Sequence, residues 1–203
     1  MPSSSHPPSS EEPPGTPSGE APAPPSEGSS APWAEVLLSF VQRYPGLHVR
    51  ELIRRLKIPI GTLDYHLYRL GQKGLLETRD VGGYRCVFPN RPVGEGPPIP
   101  EDQKAVLALL RLPTPRTILL HLYLKGFASA KELAGSAGIS ASTLSYYMDR
   151  LEGLGLIARQ GAPGGPRRVT LKDPELVRRV LLAYPPLPEG VGDRWVRLWE
   201  GLR

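Results

Sequence analysis

Two short stretches of the chain hold most of the side chains able to do polar chemistry in a fixed pattern. Gly61, Thr62, Tyr65, Tyr68, Arg69 and Gln72 lie in the first, and Ser142, Thr143, Tyr146 and Arg150 lie in the second. Hydroxyls and the glutamine amide both donate and accept hydrogen bonds, and a guanidinium presents a planar fork of donors that fits phosphate or carboxylate oxygens. Such a set suits reversible contact with a polar polyanion. It does not suit bond-making: His6, His48, His66 and His121 are scattered, Cys86 is the single cysteine, and no phosphate-loop, nucleophile-elbow or paired-histidine zinc string occurs. No catalytic residue, metal site or cofactor is expected, and the chain reads as a non-enzyme.

The charge distribution points the same way. Residues 1–32 hold ten prolines, many serines and glycines, and four of the 20 acidic residues (Glu11, Glu12, Glu20, Glu27), but none of the 25 lysines and arginines. A stretch of that composition cannot bury enough apolar surface to offset the entropy of ordering, so it is expected to be a disordered Pro/Ser-rich acidic tail. The remaining chain is correspondingly basic, which favours a polyanionic partner. One cysteine excludes an internal disulfide, and its expected place is a half-buried strand. With no apolar signal segment and no long apolar run, the expectation is a soluble cytoplasmic protein without a membrane partner.

The two polar stretches belong to an internal repeat. Glu51–Arg79 aligns without gaps on Glu132–Gln160 at an offset of 81, with ten of 29 positions identical, among them Thr62/Thr143, Leu63/Leu144, Tyr65/Tyr146, Arg69/Arg150 and Gly74/Gly155. Each copy reads as the same series. In the first, Val36, Leu37, Phe40, Val41 and Tyr44 recur at helical spacing over 33–44, before Pro45-Gly46. A short helix is expected over 50–56, then a turn flanked by Pro59 and Gly61, then a third helix to about Lys73 with Gly74 as its left-handed cap. Strands over 75–79 and 84–88 would meet at Gly82-Gly83 as a hairpin. In the second copy, Thr114-Pro115 is expected to start a helix ending near Gly126, Ser129-x-x-Glu132 reads as a capping box, and Ser140 as a cap for the third helix. Strands over 156–160 and 167–172 bracket a longer Gly/Pro loop.

Helix, helix, turn, helix, hairpin is the order of a winged helix-turn-helix unit. The expected fold class is therefore mainly α with small β-hairpin wings: two winged helix-turn-helix domains in tandem plus C-terminal helices. The boundaries are 1–32 for the tail, 33–89 for the first domain, 90–100 for a linker, 101–172 for a connecting helix and the second domain, and 173–203 for the C-terminal helices. Leu176, Val177, Val180, Leu181 and Tyr184 share one face of the first of these helices, and Trp195, Leu198, Trp199 and Leu202 lie in the second. Those faces need cover, either within the chain or in a homodimer.

The strings GLHVRELIRRLKIPIGTLDYHLYRLGQKGLLETRDVGGYRCVFP and KELAGSAGISASTLSYYMDRLEGLGLIARQ resemble the winged helix-turn-helix regulators of bacteria and archaea, ArsR- and MarR-like proteins in particular. The resemblance covers roughly 33–88 and 114–172. It implies a transcription regulator that binds double-stranded DNA, with the helices near 60–73 and 141–153 in the major groove and the wings on the backbone. Two features depart from the pattern: Pro59 stands where a Ser or Thr cap is usual, and the Cys/His clusters of metal-sensing members are missing.

On such a helix Leu63, Leu67 and Leu70 form the buried stripe. Gly61, Tyr65, Tyr68 and Gln72 face away from it, with Thr62 and Arg69 at the margin. The matching face of the second helix carries Ser142, Tyr146, Asp149 and Gly153, flanked by Thr143 and Arg150. Arg79 and Arg85 in the first wing, and Arg159, Arg167 and Arg168 in the second, are placed to reach backbone or minor groove; Arg54 and Arg55 are placed to clamp phosphates. His66 and Tyr147 fall at the edge of the buried stripes and are expected to pack. Asp149 opposes DNA in the second copy, while Arg50, Arg54, Arg55 and Lys57 cluster in the first, which marks the first as the principal reader. The alternative is a tandem winged-helix scaffold that binds protein in a chromosome- or complex-organising assembly.

Overall fold

The structure is a computed structural model, and it describes residues 30–90, 98–161, 168–184 and 187. The disorder expected of residues 1–29, most of the Pro/Gly-rich linker, the second hairpin loop with Arg167, and the last expected helix all lie outside the described residues. The chain is mainly helical with two small antiparallel sheets.

The first half runs α1 (Ser30–Arg43), β1 (Leu47–His48), α2 (Val49–Leu56), α3 (Ile60–Gln72), β2 (Leu76–Val81) and β3 (Tyr84–Pro89). After α4 (Glu101–Leu110) the same order recurs as α5 (Pro113–Lys125), β4 (Phe127–Ser129), α6 (Ala130–Ala137), α7 (Ala141–Gly153), β5 (Ile157–Gln160) and β6 (Arg168–Leu171). Helix α8 (Pro174–Ala183) follows. The sheets have strand orders β1-β3-β2 and β4-β6-β5. Strands β1 and β4 correspond at the repeat offset, whereas β6 is shifted by one further residue relative to β3: Leu47 pairs with Val87, and Ala128 with Val169.

Several boundaries differ from those read in the sequence, each for a local reason. Helix α1 begins at Ser30, inside the stretch assigned to the tail. Strands β1 and β4 went unforeseen, because two or three residues are too few to show an alternating pattern. Gly61 is not a turn residue: it lies in the first turn of α3, and the bend falls earlier, at Lys57, whose φ of 54° is left-handed. At the equivalent place in the second half stands Gly138, with φ 63°. Helix α5 starts at Pro113 with Leu112 as its N-cap and no side-chain cap, so Thr114 does not play that part. The Ser129/Glu132 capping box and the Ser140 cap do form, whereas Pro59 gives α3 no side-chain cap.

Two cores run through the molecule. One gathers Leu37, Val41, Leu52, Leu63, Leu67, Leu70 and Val87. The other gathers the second half, α4 and α8, together with Val81, Cys86 and Phe88 of the first sheet. Successive residues of a strand point to opposite faces, so β3 feeds Val87 to one core and Cys86 and Phe88 to the other. Cys86, expected in a half-buried strand, is therefore buried outright at 1% exposure.

Helix α4 closes this arrangement. Every residue from Val106 to Leu112 is buried, and Arg111 donates from Nε to the Pro45 carbonyl at 3.1 Å. Lys104 pairs with Glu77 and with Glu101, and Arg79 reaches Glu101 at 2.6 Å, tying β2 to the start of α4. Helix α8 packs on α4 and α5 through Leu176, Val177, Val180 and Leu181. Of the two covers open to that face, packing within the chain is the one realised, so α8 does not offer it to a second copy. Helices α4 and α5 are apolar but meet at 111°, and no single described helix is long and apolar enough to cross a membrane.

The unequal turns give a test. An L-residue in the left-handed region costs about 1–2 kcal/mol, part of which glycine's extra chain entropy offsets. Lys57→Gly is expected to leave stability unchanged or raise it by about 1 kcal/mol, and Gly138→Lys to lower it by about 1 kcal/mol. Urea unfolding of both variants checks the sign of each.

Candidate nucleic-acid interface

Helix α7 is positioned by the burial of Leu144, Met148 and Leu151 against the second core, which turns its other face outward. Ser140 accepts from the Thr143 backbone N–H at 3.2 Å. Its hydroxyl also lies 3.0 Å from that of Ser142 and 2.9 Å from that of Thr143. Three hydroxyls thus gather at the positive end of the helix, all on exposed residues. One turn on, Tyr146 is 50% exposed. Asp149 and Glu152 do not stand free: Arg159 of β5 binds them at 2.5 Å and 3.3 Å.

The C-terminal half of α7 is occupied from within the chain. Arg150 is half-buried, with its guanidinium 4.5 Å from the Tyr146 ring centroid and 5.5 Å from that of Tyr84. It hydrogen-bonds the Tyr146 hydroxyl and lies against the hairpin tip at Gly83. Leu154 lies beside Gly82, and Tyr84 is hydrogen-bonded to Tyr147. Burial, then that bond, pushes the Tyr84 phenol up to about 12. The tip of the first hairpin is therefore docked on the helix of the second half. A contact between residues 63 or more apart in the chain leaves no mark on local pattern, so Tyr84 and Tyr147 could not have been foreseen as its anchors.

Helix α3 has a different character. Leu63, His66, Leu67 and Leu70 are buried. Gly61, Tyr68, Arg69 and Gln72 are exposed, but Thr62 and Tyr65 are half-buried. Arg69 lies over the Tyr65 ring at 5.8 Å. The helix begins with Pro59 and with Ile60, which is 63% exposed, so its leading end offers hydrocarbon where α7 offers hydroxyls.

Arg54, Arg55, Arg69, Arg79, Arg85, Arg150, Arg159 and Arg168 each have an internal partner. Arg54 and Arg55 bind Glu51 at 2.7 Å and 2.6 Å; burial would raise the Glu51 carboxyl, and these two hydrogen bonds outweigh it and hold the carboxyl low. Arg79 binds Glu77 and Glu101, Arg85 binds Asp64 at 2.9 Å, and Arg168 lies over Phe127 at 4.5 Å. The exposed pairs among these contribute only about 0–1 kcal/mol each, so a phosphate can displace a carboxylate there at little cost; Arg55 and Glu51 are largely buried and do not belong to that set. Among the described residues no group of three or more His, Cys, Asp or Glu could hold a metal ion.

Burial, with Arg69 adding to it, lowers the His66 imidazole, whose Nε2 has no hydrogen-bond partner. The unfolded chain then takes up a proton near the ordinary imidazole value of about 6.5 while the folded chain resists it, so stability falls as pH drops through that range. His66→Phe is expected to flatten the loss of Tm between pH 7 and about 5. An unchanged acid limb would place the titrating group elsewhere.

Residues 111–158, from the end of α4 through α5, α6 and α7 to the start of β5, match a family model described as winged helix-turn-helix DNA-binding. The chain is also 26% identical over 122 residues to an uncharacterised HTH-type transcriptional regulator of Methanocaldococcus jannaschii. That match covers 60% of this chain and 29% of the relative, so the chain spans less than a third of the relative's length.

Proposed function

We propose that this protein is a sequence-specific double-stranded DNA-binding transcription regulator built of two winged helix-turn-helix units in tandem, with α7 as its principal reading helix. The observation that carries this is the exposed hydroxyl cluster of Ser140, Ser142 and Thr143 at the start of α7, followed by Tyr146, inside the stretch matched to the DNA-binding family. The leading residues of a recognition helix lie nearest the base edges, where hydroxyls bond bases or phosphates and a Thr methyl meets the thymine methyl. The second wing carries Arg159 and Arg168 toward the backbone, and Arg167, outside the described residues, is assigned the same role.

This reverses the preference that basic clustering alone suggests. Around α3 the arginines are plentiful, but the leading end presents Pro59 and Ile60, and a phosphate-binding cluster confers affinity without sequence. In this reading Arg54, Arg55, Arg69, Arg79 and Arg85 attract and hold backbone, and Gly61, Thr62, Tyr65, Tyr68 and Gln72 form an accessory surface. Because Arg150 is held by Tyr84 and Tyr146, it acts as a hinge pin between the units, not as a base reader.

Selection on random duplex DNA should enrich one motif. Ser142→Ala with Thr143→Ala and Tyr146→Ala should weaken binding to that motif by about 100-fold or more and erase discrimination against mismatches. Arg54→Ala with Arg55→Ala should weaken all duplexes alike and reduce the salt slope by about two. Absence of any enriched motif, or loss of discrimination only in α3 variants, would overturn the assignment to α7.

A further inference from the structure

Helix α8 packs in the second core, yet Leu187, three residues beyond Tyr184, is buried in the first at 5% exposure. Three residues span at most about 11 Å, so the chain crosses from one half to the other directly after α8. Leu187 borders a hollow of about 130 Å³ whose polar walls are Arg54, Arg55, Arg111 and Arg116, with Glu51 and His48. That volume is on the order of four waters, well below the roughly 300 Å³ at which small-molecule sites begin.

Four guanidiniums face one carboxylate among the described residues lining this hollow. Glu51 is already shared by Arg54 and Arg55, at 2.7 Å and 2.6 Å. His48 adds no charge: its Nδ1 accepts the Glu51 backbone N–H, and burial, only partly offset by Glu51, lowers its imidazole. Arg111 is 3% exposed. Burial pushes its guanidinium down to about 9; the Tyr44 phenol opposes that, and the charges of Arg116 and Arg55 add to it. Like charges gathered at a buried wall repel strongly, and a second carboxylate among them offsets that repulsion.

We infer that the segment after α8 is a strap, anchored by Leu187 in the first core, whose Glu189 carboxylate seats among these arginines. Glu189 stands two residues beyond Leu187, within about 7 Å along the chain, whereas Asp193 is six residues away. Pro185, Pro186 and Pro188 flank Leu187 and restrict the backbone, which reduces the entropy lost when the strap is fixed. Tethering gives the carboxylate an effective concentration of about millimolar or more, so it prevails over a more dilute free anion of equal affinity. A seated Glu189 also competes with DNA phosphate for Arg54 and Arg55; only that consequence rests on the proposed function, and the seating itself does not.

The test uses the full chain, first without DNA. Glu189→Gln and Arg116→Gln are each expected to lower Tm, and the double variant to unfold no lower than the more affected single variant, because both remove one shared pair. Asp193→Asn is expected to leave Tm unchanged. Inorganic phosphate, against chloride at matched ionic strength, is expected to raise the Tm of Glu189→Gln more than that of the unaltered chain, since it takes the vacated place. An unchanged Tm in Glu189→Gln, losses that simply add, an equal response to phosphate, or an equal loss in Asp193→Asn overturns the seating. On duplex DNA of random sequence Glu189→Gln is then expected to bind about tenfold more tightly, and Asp193→Asn to show no such gain. Unchanged affinity in Glu189→Gln, with the Tm coupling present, overturns the competition with phosphate and supports a strap that is structural alone.

Discussion

The structure depends on one helix that has no outside. From Val106 to Leu112 every residue of α4 and its C-terminus is buried, including an arginine. A helix apolar all round must be covered on every side. Here the first sheet, α5 and α8 supply the cover. Gly46 shows how close the approach is: a Cβ there would sit 3.1 Å from the Leu107 side chain and 3.2 Å from the Ala108 backbone nitrogen, at a φ of 81° that also favours glycine. Arg111 can be accommodated because its Nε meets the Pro45 carbonyl, just before that glycine.

That packing dictates the rest. With Cys86 and Phe88 drawn into the second core and Val87 into the first, the first sheet is covered on both faces and its hairpin cannot swing freely. Its tip meets α7 at Tyr84, Tyr147 and Arg150. Three contacts of different kinds converge there: a phenol hydrogen bond, a guanidinium over two rings, and Leu154 against the turn. The two halves are thereby joined through β3 and α4 inside and through the hairpin tip at the surface. The leading end of α7 stays open, while its trailing end is closed.

Legibility in the sequence followed the range of the interaction. Helices α2, α3, α6 and α7 were readable because caps and apolar spacing are local: Ser129 with Glu132, Ser140, and the Leu63/Leu67/Leu70 stripe all stand as expected. The short strands β1 and β4 exist only because β3 and β6 offer them partners, which no window of two or three residues reveals. Among candidate contact residues, the outward positions of α7 were readable from helical periodicity. The partners of Arg79, Arg85 and Arg150 were not, because Glu101, Asp64 and Tyr84 reach them only through tertiary packing. Counting basic residues also does not show that Arg54 and Arg55 share one acidic partner, Glu51, a helix turn away.

The offset of 81 converts this into a comparison of like with like. His48 and Ser129 occupy one place and do one job, each accepting a backbone N–H from a glutamate three residues on. Lys57 and Gly138 occupy another and bear its backbone conformation at different cost. Pro59 against Ser140, Asp64 against Ser145, and Val49, Ile53 and Ile60 against three alanines then form a consistent set. In the first half Val49 and Ile53 fill space, Pro59 removes a hydroxyl and Asp64 satisfies a charge internally, while Ile60 exposes hydrocarbon. In the second, each leaves a hydroxyl, a cavity or a cation facing outward. A frame whose backbone is held the same while its side chains diverge in this one direction separates structural from contacting roles.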